Sequence, residues 1–361
     1  MKITQIKAVP KDFQLESPFK FASCTLKYLP YALIQIKTDE GITGYGECPA
    51  YWDPSGETQE SAIGAVKFIS EALIGKSPFQ ISDIMNICDS NIYGAFSAKC
   101  GLDMALYDIQ GKKLNVPVYE ITGGNNNPVK VNAVLSLTSL EEAVKKTEKF
   151  LENGYEHIKV KVGVDLEQET KVLDEIVKII SSETKLFVDA NQGWGDYKTA
   201  LQAIRKLEKY NLAWVEQPVK AYDWDGLKKL KERVDTKIMA DESLYSYQDA
   251  LKMAKNNVVD MFNIKLAKSG GIYLGSKIKT IADAANIPCV LGSMIESSLG
   301  MLADYHFAKS YKMETCGLSG WTLITNDFDL GLKMEKNELR LMSDKPGLGY
   351  QDEKVLEREF R

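Results

Sequence analysis

The chain has 361 residues, 44% of them hydrophobic and 26% charged, with a formal net charge of −5. That length fits two domains, or one barrel with additions, and the composition is that of an ordinary globular protein. The negative balance argues against a nucleic-acid binder, which would carry a basic surface, and no apolar run reaches the length of a membrane span.

The cysteines, Cys24, Cys48, Cys88, Cys100, Cys289 and Cys316, are scattered and form no C-x-x-C pair. Reduced thiols in a cytoplasmic protein are expected rather than disulfide staples. The only histidines are His157 and His306. A histidine-built zinc site or a Ser-His-Asp hydrolase is therefore not expected, and both histidines read as structural.

The N-terminal stretch "MKITQIKAVPKDF" alternates like a strand and lacks the apolar core of a signal peptide. "YALIQIKTDEGITGYGECPA" predicts two strands around a turn at Asp39, Glu40 and Gly41. "TQESAIGAVKFISEALIG" and "SAKCGLDMALYDIQGKKL" carry apolar residues at helical spacing. Strands followed by helices predict an α+β capping domain over residues 1–122.

From residue 123 the rhythm changes. Short apolar runs alternate with helical segments: "VNAVLSL", "HIKVKVG", "KLFVDAN", "LAWVEQP", "KIMADES", "VVDMFNIKLAK" and "IPCVLGSMIES". Their ends fall near Lys161, Asp189, Glu216, Asp241, Lys265 and Ser293, at roughly 25-residue intervals, which suits a β-α unit. A modified TIM (β/α)7β-type barrel over residues 123–325 is expected, closed by a short unit near "METCGL"; an open parallel sheet is the alternative. Residues 326–361, with "SDKPGLGYQDEKV", read as a C-terminal segment returning to the cap.

The C-terminal strand ends of a barrel form its active rim. Asp189, Glu216 and Asp241 stand at three successive ends. One acid after a strand is commonly a helix N-cap. Three at one height repel unless a cation joins them, and oxygen-only ligands point to Mg²⁺ rather than Zn²⁺. Lys159 and Lys161 end the second barrel strand and Lys265 the sixth, opposite each other in a closed ring. A lysine desolvated beside a cation can have its pKa lowered and act as a base. A salt bridge to a neighbouring carboxylate is the plainer reading of Lys265. Asn191 and Glu242 follow two of the acids as candidate supporting groups.

These motifs, "KVKVG", "DANQGW", "VEQP", "ADES", "NIKLAKSGG", "GSMIESSLG" and "PGLG", resemble the enolase superfamily, in particular the muconate lactonising enzyme subgroup and its dipeptide epimerases. The resemblance covers essentially the whole chain. It implies Mg²⁺ on Asp189, Glu216 and Asp241, acid/base catalysis by Lys161 and Lys265, and a substrate carboxylate held with the help of Lys159. It also implies that the loops "SPFKFASCTLKY" and "GECPAYWDPSGETQES" close over the barrel mouth and set specificity.

The chain departs from the subgroup's Ala-Glu epimerases in three places. Cys24 stands where they carry an arginine, and a thiol cannot pair with a carboxylate as a guanidinium does. "CGLSGW" lacks their D-x-D, while Asp327 and Asp329 lie several residues later. Val134 replaces a hydroxyl-bearing residue. The pocket is thereby expected to be apolar, with Cys24, Trp52, Val134, Ser293, Glu296 and Trp321 (and Tyr51) as candidate lining. The expected activity is epimerisation or racemisation α to a carboxylate on a dipeptide or N-acyl amino acid. The alternative is syn elimination or cycloisomerisation, as in o-succinylbenzoate synthase or muconate cycloisomerase. A small-molecule carboxylate is the expected partner, with no nucleic acid and no membrane, in a homo-oligomer. A barrel kept only for binding is disfavoured, because the charge constellation is costly to hold without a role.

Overall fold

A computed structural model describes the chain from Met1 to Arg361 except Phe21, Ser23, Tyr51, Asp344 and the Pro54 side chain. Tyr51, a candidate wall, therefore lies outside the described residues. The chain opens with three antiparallel strands, β1 (Ile3–Lys20), β2 (Thr25–Thr38) and β3 (Thr43–Cys48), in that order. The turn between β2 and β3 uses Gly41 at φ +77°, a conformation glycine adopts without a Cβ penalty. Helices Gln59–Leu73, Ile81–Asn91 and Phe96–Leu114 follow. The last lies directly on β3: a Cβ on Gly44 would stand 2.1 Å from the Ala105 carbonyl oxygen, and one on Gly46 2.0 Å from that of Gly101.

The short strand β4 (Val129–Lys130) leads into seven parallel strands. They are β5 (Ala133–Leu135), β6 (His157–Lys161), β7 (Lys185–Asp189), β8 (Val215–Glu216), β9 (Ile238–Ala240), β10 (Met261–Ile264) and β11 (Cys289–Leu291), paired in sequence order. Cys316 closes the ring by parallel bridges to Leu291 on one side and Val131 on the other. The Gly317 N–H donates to the Leu291 carbonyl at 2.7 Å, and the Asn132 N–H to the Cys316 carbonyl at 2.8 Å. The sheet is thus a modified (β/α)7β barrel, and the open-sheet alternative is excluded.

Period-two alternation builds the interior in layers. Phe187, Trp214, Met239, Met261 and Val290 form a separate apolar cluster. Two residues further along the same runs stand Asp189, Glu216, Asp241, Asn263 and Gly292. Apolar floor and polar ceiling therefore follow from one strand period.

Outside the ring, Asp165, Asp196 and Asp223 cap the helices Leu166–Ile179, Tyr197–Leu207 and Trp224–Lys231 with their side chains. The hairpin β12 (Leu332–Glu335) and β13 (Glu338–Leu341) pairs with β4. Beyond it, Tyr350 donates to Asp108 of the helix Phe96–Leu114 at 2.7 Å, and Glu359 pairs with Lys11 of β1 at 2.8 Å.

Candidate active site

The helix caps bear on the three strand-end acids. Asp196, Asp223 and Ser246 cap the helices that follow β7, β8 and β9, so none of Asp189, Glu216 and Asp241 serves as an N-cap, and each is fully buried. One ligand oxygen from each lies within 4.8 Å of the others. β6, β7 and β8 bring Lys161 beside Asp189, and Asp189 beside Glu216, in direct register.

Four ammonium groups surround these acids. Lys159 Nζ is 2.7 Å from Glu216 Oε2 and 3.2 Å from Asp189 Oδ2. Lys161 Nζ donates to Asp189 Oδ2 at 2.7 Å and to Asn191 Oδ1 at 2.6 Å. Asn191 in turn donates to Glu242 Oε1 at 3.0 Å. Lys265 Nζ stands 2.8 Å from Asp241 Oδ2, and Lys268 Nζ 2.7 Å from Asp241 Oδ1. In the closed ring β6 and β10 are separated by three strands either way, so Lys161 and Lys265 approach the acids from opposite sides.

The charges shift one another. Burial pushes Asp189 up, but Lys161 and Lys159 outweigh it and hold the carboxyl down at about 2. Burial, followed by Asp189, pushes Glu216 up to about 7. Burial opposes ionised Asp241, yet Lys265 and Lys268 hold it well below the usual range. Burial and then Asp241 raise Glu242 to about 8. Burial disfavours charged Lys265, but Asp241, Glu242 and Glu216 outweigh it, so its pKa is raised well above the ordinary value. Lys159 is likewise raised, burial being outweighed by Glu216 and Asp189. Among the protein's own charges Lys265 thus forms the salt bridge to Asp241 that is its plainer reading; the lowered lysine pKa is expected beside a bound cation.

The site fits a hard cation. The three acids are oxygen donors with neither His nor Cys among them. Among the described residues, Glu216 Oε2 and both Asp241 carboxylate oxygens are met only by ammonium groups, at 2.7–2.8 Å.

Sequence reasoning missed three residues that hold this arrangement. Asn263 donates to Glu216 Oε1 at 2.8 Å. Gln217 accepts the N–H groups of Asp241 and Ser243, each at 3.0 Å, which ties the end of β8 to that of β9. Lys268 is fully buried against Asp241. A lysine three residues after Lys265 was the available signal, but it reads as an exposed helix residue.

The remaining candidates are placed unevenly. Val134 pairs with Lys159 in register and so shares its face. Cys24 is half-buried against the apolar core, and burial and then Asp53 push its thiol up to about 11. Ser293 donates to the Gly317 carbonyl at 2.7 Å. Glu296 is buried, accepts the Met294 N–H at 2.8 Å on both oxygens, and is pushed up to about 7 by burial. Trp52 is 52% exposed. Trp321 is half-buried in the turn Gly320–Leu323, packed on the core. Asp327 caps Ser298 through its N–H at 2.9 Å, and Asp329 is exposed. His306, read as structural, accepts the Tyr119 N–H at Nδ1, 3.3 Å away, while its Nε2 lies 3.1 Å from the Leu348 carbonyl.

The first three strands and their helices cover the barrel mouth. Tyr31 donates to the Met294 carbonyl at 2.9 Å, Ser297 N–H donates to Glu47 at 3.0 Å, and the Phe96 ring packs 5.7 Å from that of Tyr245. A Cβ on Gly193, just past Asn191, would come within 2.9 Å of Ala22.

Barrel, cover and a ring of acids flanked by opposed lysines define a class, and the chain belongs to it: the mandelate racemase/muconate lactonizing enzyme family of the enolase superfamily. Residues 3–123 match the Mandelate racemase / muconate lactonizing enzyme, N-terminal domain family, and residues 142–353 the Enolase C-terminal domain-like family. The chain is 36% identical over 354 residues to the N-succinyl-L-Arg/Lys racemase of Bacillus cereus, covering 97% of this chain and 95% of the relative. It is 35% identical over 352 residues to the hydrophobic dipeptide epimerase of Enterococcus faecalis, covering 97% and 99%. A crystal structure of the dipeptide epimerase from Enterococcus faecalis V583, complexed with Mg and the dipeptide L-Leu-L-Tyr, superposes with a TM-score of 0.91 at 34% identity, covering 97% of this chain and 99% of that one. The protein is an isomerase of the racemase and epimerase type. No helix among the described residues is long and apolar enough to cross a membrane.

Proposed function

We propose that the protein inverts the carbon α to the carboxylate of an N-acylated amino acid by proton transfer between Lys161 and Lys265. The observation that carries this reading is the pair of lysines entering one carboxylate cluster from opposite sides of the ring. The free amine of one lysine takes the α-proton. The C–H bond breaks, and its electron pair spreads into the carboxylate as an enediolate. The ammonium of the opposite lysine then gives a proton to the other face of the same carbon. Lys159, between Asp189 and Glu216, helps to hold the substrate carboxylate. Asn191, itself held by Glu242, orients Lys161.

Asp189, Glu216 and Asp241 would hold Mg²⁺, which when bound supplies positive charge against the growing enediolate and opposes the acids' hold on the lysine protons. In this reading residues 1–122 cap the mouth, 123–325 form the catalytic barrel and 326–361 tie the tail to the cap.

The related enzymes named for N-succinyl-Arg/Lys and for hydrophobic dipeptides share an α-carbon between a carboxylate and an acylated nitrogen. Val134 beside Lys159 and half-buried Cys24 support an apolar side chain. Asp327 is engaged on Ser298 and Asp329 is exposed, so that segment offers no carboxylate pair to a free ammonium. This favours an N-acyl amino acid over a dipeptide. Free cysteines throughout the described chain suit the reducing cytoplasm, and light scattering tests the expected homo-oligomer.

The experiment is proton NMR in D₂O with Mg²⁺, offering pooled N-succinyl and N-acetyl amino acids and dipeptides. Loss of α-proton signal with appearance of the second isomer is expected, strongest for apolar N-acyl amino acids. No exchange in any pool, with turnover of unsaturated or cyclic carboxylates, would replace this reading by elimination or cycloisomerisation.

A further inference from the structure

Gly292 stands one residue beyond β11, where the strand alternation aims its missing side chain into the barrel. Its backbone is fixed, because its N–H donates to the Ile264 carbonyl at 2.8 Å, beside Lys265. Its φ is not in the left-handed region, so the backbone itself does not call for glycine. What calls for it is space. A Cβ there would stand 2.9 Å from Cε of Lys265, and 2.5 and 2.9 Å from Oδ1 and Nδ2 of Asn263. Carbon atoms in contact sit about 3.5–4.0 Å apart. The stem of Lys265 therefore runs through the volume a side chain at 292 would fill. Asn263, the other group in that volume, is fully buried and engaged on Glu216.

We propose that Gly292 is a positioning residue for one of the two lysines: the empty volume at its α-carbon sets the path of the Lys265 side chain, while Lys161 is untouched by it. The inference rests on the two-lysine reading above. A displacement near 1 Å at a reacting group costs about 100-fold in rate. Gly292→Ala is thus expected to act chiefly on one face of the substrate.

The test uses the full-length, Mg²⁺-loaded protein and both isomers of an N-acyl amino acid that the wild type exchanges in D₂O. In Gly292→Ala, exchange from the isomer deprotonated by Lys265 should fall by about 100-fold. At saturating Mg²⁺, exchange from the isomer deprotonated by Lys161 should fall far less than exchange from the isomer deprotonated by Lys265. Equal loss on both faces, or no loss on either, would overturn the proposal.

If Gly292→Ala does not fold, Asn263→Ala/Gly292→Ala makes room for the methyl at its closest contact. Its ratio of the two exchange rates, compared with that of Asn263→Ala, carries the same decision. A second readout needs no turnover: the Lys265 ε-CH₂ NMR signal, assigned with Lys265→Ala, should move in Gly292→Ala while those of Lys159 and Lys161 do not. An unmoved Lys265 signal refutes the positioning role. A wild type that exchanges neither isomer refutes the two-lysine reading instead, and the NMR signal still decides the geometry.

Discussion

The Lys265 ammonium lies 2.8 Å from Oδ2 of Asp241, so a proposed base and a proposed metal ligand form one ion pair across neighbouring strands. The other oxygen of Asp241 carries Lys268 at 2.7 Å. Whatever changes the charge on Asp241 is felt by Lys265, which makes metal binding and acid/base chemistry inseparable here.

Asp241→Asn should therefore disturb both. Mg²⁺ affinity is expected to fall by at least about 10–100-fold, the usual effect of losing even an outer supporting group. Calorimetric titration with Mg²⁺ checks this, and unchanged affinity would remove Asp241 from the ligand set.

Metal should also be visible in stability. At a free Mg²⁺ concentration about 100 times its Kd, the folded state gains about 2.7 kcal/mol. The urea midpoint should rise on adding Mg²⁺ and fall back with EDTA. In Glu216→Gln this gain should shrink markedly.

Lys268→Met tests the support beneath the site. Both Lys268 and Asp241 are fully buried, and removing one partner of a buried pair destabilises by about 3–5 kcal/mol. Urea unfolding at neutral pH checks this. A loss below about 1 kcal/mol, the scale of a surface pair, would mean that Lys265 alone satisfies Asp241.

His306 gives a pH dependence. Burial first, and then Lys309, lower its pKa to about 4, although its bond to the Leu348 carbonyl works the other way. The unfolded chain takes up this proton near pH 6.5 and the folded one only near 4, so the contribution is complete above 6.5 and is lost as pH falls through that window. Between pH 7 and 5 the wild type should lose about 2 kcal/mol more than His306→Gln. Parallel losses in the two proteins would contradict the assignment.

Much of this architecture was legible in the chain. The strand ends at Lys161, Asp189, Glu216, Asp241 and Lys265 could be read because each apolar run stops at a charged residue, and the run spacing is that of a β-α unit. The closing segment at Cys316 was legible only as position, since it is bridged at single residues and has no pattern of its own. What could not be read depends on partners far apart in sequence. Lys268 looks like a surface residue until Asp241 is placed beside it. The raised pKa of Lys265 follows from three carboxylates drawn from two other strand ends. Periodicity tells which face a residue takes, not what faces it.

The most direct test of the two-lysine reading is α-proton exchange in D₂O for each isomer separately, with wild type, Lys161→Ala and Lys265→Ala saturated with Mg²⁺. Both variants should lose interconversion, and each should keep exchange on one isomer only, opposite in the two proteins. If either variant interconverts the isomers at the wild-type rate, or if both keep exchange on the same isomer, proton transfer between Lys161 and Lys265 is contradicted.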